Sequence, residues 1–209
     1  MNGWSALNYA TRLAEKLEGV LLPLIPVGHA PYHLKWPGSL SVPSDVLMGY
    51  IKGILESLAR HGVKKIVIVH GHEGNLIAAQ QAAMAVQSEY RETDICILCP
   101  WMQVYGEMGK EWEGHFGKWE ICQTLVYKPE VLDFSKLVDA SDFEQAFKAH
   151  YRVRRKDAAW YFKDFTEVAP TGWYAHPSAW KVTRQECEEM LEKSTNRLIE
   201  IMKEIGFIK

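Results

Sequence analysis

A short polar segment follows an apolar run in the first half of the chain and carries residues suited to chemistry. The run Lys65 to Val69 ends at His70-Gly71-His72-Glu73-Gly74-Asn75. Neutral imidazole is the commonest protein ligand for zinc and related metals, and ligands of open α/β sheets bind at the carboxyl ends of strands. The segment therefore predicts a metal site at a strand end. A helix-starting turn with hydrogen-bonded histidines is the alternative that these residues leave open.

A second polar segment, Glu111 to Glu120, opens a predicted helix whose apolar residues begin at Ile121. The carboxylate of Glu120 can ligate a metal ion, and His115 can transfer protons because the unperturbed pKa of histidine is close to neutral pH. The alternative is that Glu113 and Glu120 only stabilise the positive amino-terminal end of the helix. Considered together, the two polar segments favour a shared site.

A third segment, Pro26 to Leu40, is long for a loop and rich in proline, glycine and aromatic residues. Loops of this length in compact domains are usually functional or disordered, and aromatic residues argue against disorder. Within it, His29 and His33 are candidates for contact with a substrate or a neighbouring subunit. A structural role for either histidine is the alternative.

The elements around these segments alternate between helix and strand, which is typical of an α/β fold with a mainly parallel sheet. We predict a single domain over residues 1–209, because a chain of this length with 47% hydrophobic residues can bury one sizeable core. The predicted helices are Ser5 to Leu17, Val46 to Arg60, Leu76 to Glu89, part of Phe134 to His150, and Thr183 to Ile205. The predicted strands are Gly19 to Ile25, the run before His70, and Asp94 to Leu98.

The composition restricts partners and compartment. The formal net charge of -2 provides no field that would attract nucleic acid or an anionic membrane. The longest apolar stretches, such as Gly19 to Pro26, are too short to span a bilayer, and the amino terminus lacks the residue order of a signal peptide. The 4 cysteines provide no secreted disulfide framework, and Cys96 and Cys99 point to opposite faces of a predicted strand. We therefore expect a protein of the reducing cytoplasm that binds neither nucleic acid nor membranes.

Three motifs, in order, resemble those of the creatininase (creatinine amidohydrolase) family. Gly28 to Ser39, with His33 before Trp36-Pro37-Gly38-Ser39, resembles the family loop YG-x-S-x-x-H-x-x-FPGT. His70 to Asn75 resembles NGHGGN, and Gly114 to Glu120 resembles EHAGExE. The resemblance extends from near residue 2 to the carboxyl-terminal helix, and three ordered motifs are more specific than any one of them.

The resemblance implies a three-layer α/β/α fold, assembly into homo-oligomers that are typically hexamers, and hydrolysis of C–N bonds in small, often cyclic molecules. It implies two divalent metal ions, zinc and/or manganese, with His72 and Glu120 as metal ligands and His115 as a catalytic histidine. Two metals would lower the pKa of a shared water and polarise the carbonyl, while an imidazole moves the proton to the leaving nitrogen. The residues expected to bind the substrate are His33, Trp36, Glu73 and Asn75.

The chain also departs from the family pattern. The family's first motif, E-x-H-G-x-H-L-P-x-x-T-D, is absent, and Asn2 falls near the position of its metal-bridging aspartate. We expect a reading frame begun at an internal methionine; a shortened member without metal, or replacement ligands such as His70, Glu73 or His29, are the alternatives. Within the motifs, Lys118 replaces a glutamate.

Two alternative functions stay open at this point. The 8 tryptophans suit a flat ring or the apolar face of a sugar, so hydrolysis of a keto-inositol or another carbohydrate ring is one alternative. A non-catalytic family member that has lost its metal site is the other.

Overall fold

The computed structural model describes residues 2–136, 154–155, 159–160, 164–176 and 178–209. The chain divides into two compact units. The amino-terminal unit comprises residues Asn2–Pro31, Leu40–Pro100 and Glu192–Lys209, and the central unit comprises Tyr32–Ser39 and Trp101–Leu191. The prediction of a single domain stays a prediction.

The amino-terminal unit contains a parallel pair of strands, β1 (Lys65–Val69) and β2 (Asp94–Leu98). Both are short apolar runs rich in β-branched residues, which favour strands. The register places Val67 opposite Cys96, and the ladder is extended by a hydrogen bond from the His70 N–H to the Leu98 carbonyl. The α/β class and its parallel sheet are therefore confirmed.

Helices α2 (Ser44–Arg60) and α3 (Leu76–Glu89) pack with β1 to form the core of the amino-terminal unit. Leu47, Ile51 and Leu55 recur every four residues, so they share one face of α2. The facing positions of α3 are largely alanines, which allows the two helices to approach closely. This core supports the end of β1, where the first polar segment begins.

Helix α1 (Asn2–Lys16) is joined to the carboxyl-terminal helix within the same unit. The buried Tyr9 hydroxyl donates a hydrogen bond to Ser194 Oγ at 2.9 Å, and Lys16 Nζ lies 2.6 Å from Glu192 Oε1. Ser194 and Glu192 belong to a 21-residue helix that begins in the central unit, at Arg184, and ends at Glu204.

The central unit consists of short elements. Its helices are α4 (Pro100–Met108), α5 (Lys118–Tyr127), α6 (Phe165–Val168) and the start of α7 (Arg184–Glu204). Its antiparallel strand pairs are β3 (Gly114–His115) with β6 (Tyr174–Ala175), and β4 (Arg154–Arg155) with β5 (Ala159–Trp160). A disulfide between Cys122 and Cys187 joins α5 to α7.

The structure corrects one prediction and adds to another. The segment Gly19 to Ile25 forms no strand within the described residues. One proline interrupts the segment and another follows it, and Val20 is 91% exposed. Its apolar residues therefore do not indicate hydrogen bonding to a neighbouring strand. The expectation that the cysteines provide no disulfide framework did not anticipate the bridge between Cys122 and Cys187, because a separation of 65 residues in sequence does not reveal that the two Cα atoms lie 4.8 Å apart. Cys96 and Cys99 are free thiols, of which Cys96 is buried and Cys99 partly buried.

Two further predictions have limited outcomes. Phe134–Lys136 is a short 3-10 helix, and the rest of the predicted helix up to His150 lies outside the described residues. Among the residues that the structure describes, no helix combines the length and apolarity needed to cross a bilayer.

Candidate active site

The turn between β3 and α5 carries His115 and depends on two glycines. His115 lies opposite Tyr174 in the β3–β6 ladder. Gly114 has a φ of +114°, and a side chain there would collide with the carbonyl oxygen of Tyr174. A side chain at Gly117 would collide with the carbonyl oxygen of Glu113. Both positions therefore require glycine, which explains the glycine spacing around His115.

Phe116 adopts a left-handed backbone conformation with a φ of +61°, which is rare for a bulky residue and costs conformational energy. Its N–H donates a hydrogen bond to Glu120 Oε2 at 2.5 Å. Burial raises the pKa of the Glu120 carboxyl group, and the hydrogen bond from Phe116 opposes that effect. The Glu120 side chain thus stabilises the turn that follows His115.

Two imidazoles and two aromatic rings form a cluster beside this turn, which we call the imidazole cluster. The ring centroid of His115 lies 4.3 Å from Phe165, 5.5 Å from His33 and 5.6 Å from Tyr174. The Phe165 centroid is also 4.7 Å from that of His33. Burial lowers the pKa of His33, and the nearby carboxylate of Asp164 opposes that shift. His33 is therefore held mainly as a neutral imidazole at neutral pH.

Hydrogen bonds and an ion pair connect the segment that carries Phe165 to the loop that carries His33. Asp164 caps α6 by accepting a hydrogen bond from the Thr166 N–H, and Glu167 completes a capping box. Lys35 Nζ, two residues beyond His33, lies 3.4 Å from Asp164 Oδ1 and donates to Thr166 Oγ1 at 3.2 Å. The cap and the lysine therefore connect the His33 loop to the helix that carries Phe165.

Trp36, the other predicted binding residue of this loop, packs on the backbone of Gly172. The glycine has a φ of +90°, and an added side chain there would press on the indole ring at 3.2 Å. The indole Nε1 of Trp36 is buried and has no hydrogen-bond partner within the described part of the chain.

The amino-terminal unit holds the other predicted residues, at the carboxyl end of β1. His70 is buried, and desolvation lowers its pKa to about 4. His72 precedes a 3-10 helix of Glu73–Asn75, and its carbonyl accepts a hydrogen bond from the Asn75 N–H. His72 and Glu73 are only partly buried.

The Asn75 side chain has a structural partner in the same unit. Its Oδ1 accepts a hydrogen bond from the His29 N–H at 2.8 Å, and a side chain at Gly28 would collide with the Asn75 amide. Nδ1 of His29 is in turn 2.9 Å from the Val42 carbonyl oxygen. Asn75 and His29 thus tie the long loop to the end of β1, which favours the structural alternative for His29.

The sequence motifs marked His33, His115 and Glu120 separately, and the structure places all three in the central unit, with the rings of His33 and His115 in one cluster. The motifs gave no indication of Phe165 or Tyr174. One signal was present, because Asp164 and Glu167 have the spacing of a capping box and locate the start of the helix that carries Phe165.

A family model described as creatininase, creatinine amidohydrolase, matches residues 5–202. The chain belongs to the creatininase family. The resemblance seen in the three motifs is thereby confirmed over nearly the whole chain.

Known relatives agree with this assignment. Creatinine amidohydrolase of Pseudomonas putida is 24% identical over 148 residues, a match that spans 61% of this chain but only 57% of the relative's length. A manganese form of creatininase superposes with a TM-score of 0.75 at 19% identity, and a mutant creatininase of Zn-Zn type with 0.73 at 20%. Each superposition covers 95% of this chain and 80% of the other. At these identities the structural matches establish the creatininase fold.

The donor groups of this chain do not assemble into a metal site in the part that the structure describes. Among the described residues, no three or more histidine, cysteine, aspartate or glutamate side chains are grouped so that they could hold a metal ion. A catalytic zinc site uses three protein ligands, so the described residues do not fit such a site, and the roles of His72 and Glu120 as ligands stay predictions.

Proposed function

We propose that this member of the creatininase family is a hydrolase that cleaves a C–N bond in a small, cyclic, amide-like molecule. The observation that carries the proposal is the imidazole cluster, in which His115 of the family motif lies against a second imidazole and two aromatic rings. Imidazole is the side chain best suited to proton transfer near neutral pH. Family membership directs that chemistry to amide hydrolysis.

In this proposal, water adds to the carbonyl carbon, the C–N bond breaks, and the leaving nitrogen gains a proton. His115 accepts the proton of the water and returns it to the nitrogen, as a general base and then a general acid. The rings of Phe165 and Tyr174 pack against His115 and shield its imidazole from bulk water. The buried indole N–H of Trp36 is a donor that a carbonyl or ring acceptor of the substrate can satisfy.

The remaining parts of the prediction are proposals of the same kind. His33, Trp36, Glu73 and Asn75 are the proposed substrate-binding residues. Asn75 Oδ1 already accepts a hydrogen bond from the His29 N–H, so the substrate can use only the remaining hydrogen-bonding capacity of the Asn75 amide. A cytoplasmic location and a homo-oligomer, with the hexamer as the family's usual assembly, complete the proposal.

The test is hydrolysis of creatinine and a panel of five- and six-membered cyclic amides by the purified chain, with and without added zinc or manganese. We expect His115→Gln to reduce turnover by about 100-fold or more, since general acid–base catalysis contributes on the order of 10²–10⁴. The exposed His61 supplies the matched control, and His61→Gln should retain full turnover. Equal turnover of wild type and His115→Gln would contradict the assigned role.

A non-catalytic family member that has lost its metal site is the second candidate, and the comparisons do not favour it over the hydrolase. It predicts binding of cyclic amides, measured by calorimetry, without release of product under any metal condition. Nothing in the comparisons favours the third alternative, hydrolysis of a carbohydrate ring.

A further inference from the structure

The Phe165 ring contacts both imidazoles of the site, and no motif of the chain marks it. Its centroid is 4.3 Å from that of His115 and 4.7 Å from that of His33, both closer than the 5.5 Å between the imidazoles themselves. Phe165 is 6% exposed and packs with Tyr174, Ala169 and partly buried neighbours. It is therefore a fixed surface against which the two imidazoles rest.

The backbone around His115 does not by itself fix the orientation of the imidazole ring. The strand that carries it has two residues, Gly114–His115, and the next residue is the left-handed Phe116. A two-residue ladder fixes the position of the His115 Cα but leaves the orientation of its imidazole to side-chain contacts. The ring of Tyr174, on the opposite strand, restricts the orientation of the imidazole with a centroid distance of 5.6 Å. The ring of Phe165 restricts it at a shorter centroid distance of 4.3 Å.

Phe165 itself is held by polar contacts on both sides. The Asp164 cap fixes the first turn of α6, and Lys35 connects Asp164 and Thr166 to the loop of His33. The short helix, the loop and the ring therefore form one linked arrangement within the central unit. A change at Phe165 reaches both imidazoles at once.

The geometry points to Phe165 as a positioning residue that holds His115, and with it His33, in the orientation needed for proton transfer. This inference rests on the proposed role of His115. Misplacing a catalytic group by about 1 Å can cost on the order of 10²-fold in rate, so loss of the ring should lower kcat while binding of the substrate changes little. Phe165 makes no proton transfer itself.

The test compares Phe165→Leu, Phe165→Tyr and Phe207→Leu in the full chain. Phe207 is a matched control, since it is also a buried phenylalanine, 9% exposed, but lies in the amino-terminal unit. We expect Phe165→Leu to lower kcat about 10- to 100-fold with KM changed less than about threefold. Phe165→Tyr, which keeps a flat ring, should recover most of the loss. Phe207→Leu should lower the Tm without lowering kcat.

An NMR measurement decides the positioning role without turnover. Nuclear Overhauser contacts between the ring protons of His115 and Tyr174 should be present in the wild type and Phe207→Leu, and lost in Phe165→Leu. Retention of these contacts in Phe165→Leu would overturn the inference. So would a loss of kcat that, relative to the decrease in Tm, is the same in Phe165→Leu as in Phe207→Leu. If the wild type hydrolyses no cyclic amide, the proposed function fails, while the NMR contacts still decide whether Phe165 orients His115.

Discussion

At the scale of single residues, His70 is a buried titratable group that directly follows β1. Desolvation lowers the pKa of its imidazole to about 4, whereas in the unfolded chain the pKa is near its ordinary value of 6.5. The folded state therefore prefers neutral His70. Stability that depends on this group is present above pH 6.5 and is lost as the pH falls from 6.5 to about 4.

The corresponding prediction concerns the free energy of unfolding of wild type and His70→Asn between about pH 7.5 and 4. We expect the wild type to lose up to about 3 kcal/mol relative to the variant over this window, because one pKa unit is equivalent to about 1.4 kcal/mol. Urea unfolding at each pH measures the difference. A constant difference across the window would show that His70 is protonated equally easily in the folded and unfolded chain.

At the scale of elements, the turn between β3 and α5 holds a bulky residue in a left-handed conformation. An alanine is normally more stabilising than a glycine at an ordinary helical position by about 1 kcal/mol. At the +61° φ of Phe116 the order should reverse, since only glycine adopts this conformation without cost. Both substitutions remove the same ring, so their difference reports the backbone alone.

We therefore predict that Phe116→Gly is more stable than Phe116→Ala by about 1 kcal/mol in urea unfolding. The control pair is Met84→Ala and Met84→Gly, at an exposed position inside α3, where alanine should be the more stable residue. The same order at both positions would argue against a left-handed Phe116 and against the turn geometry that places His115.

Most regular elements could be predicted from the sequence because their periodicity is local. The spacing of Leu47, Ile51 and Leu55 on α2, and the apolar run of β1 before His70, reflect burial directly. The predicted strand Gly19 to Ile25 failed because an apolar run does not show whether a partner strand is present. Phe165 was missed because its importance comes from ring contacts between distant segments, which one sequence does not encode locally.

At the scale of the whole molecule, membership of the creatininase family and the creatininase fold are established. The family model covers residues 5–202, but the alignment to the Pseudomonas putida enzyme covers 57% of that protein. Substrate identity therefore cannot be transferred by overall similarity. It has to be established at the imidazole cluster.

Metal content is the whole-molecule property that separates the proposed functions most directly. Two candidate ligands, His72 and Glu120, do not complete a three-ligand site, and no such group occurs among the described residues. We therefore predict that the protein, purified without chelator and then dialysed, retains less than about one metal ion per chain. Elemental mass spectrometry for zinc, manganese, iron and nickel provides the measurement.

Three variants make the metal measurement specific. His72→Ala and Glu120→Ala should reduce any residual metal, because each removes one of the two candidate ligands, whereas His115→Gln should leave the metal content of the wild type unchanged. Retention of one or two ions per chain by the wild type would contradict the prediction. Ligands would then have to come from residues outside the described ranges or from a second copy of the chain, and a variant that lost the metal would identify which candidate takes part.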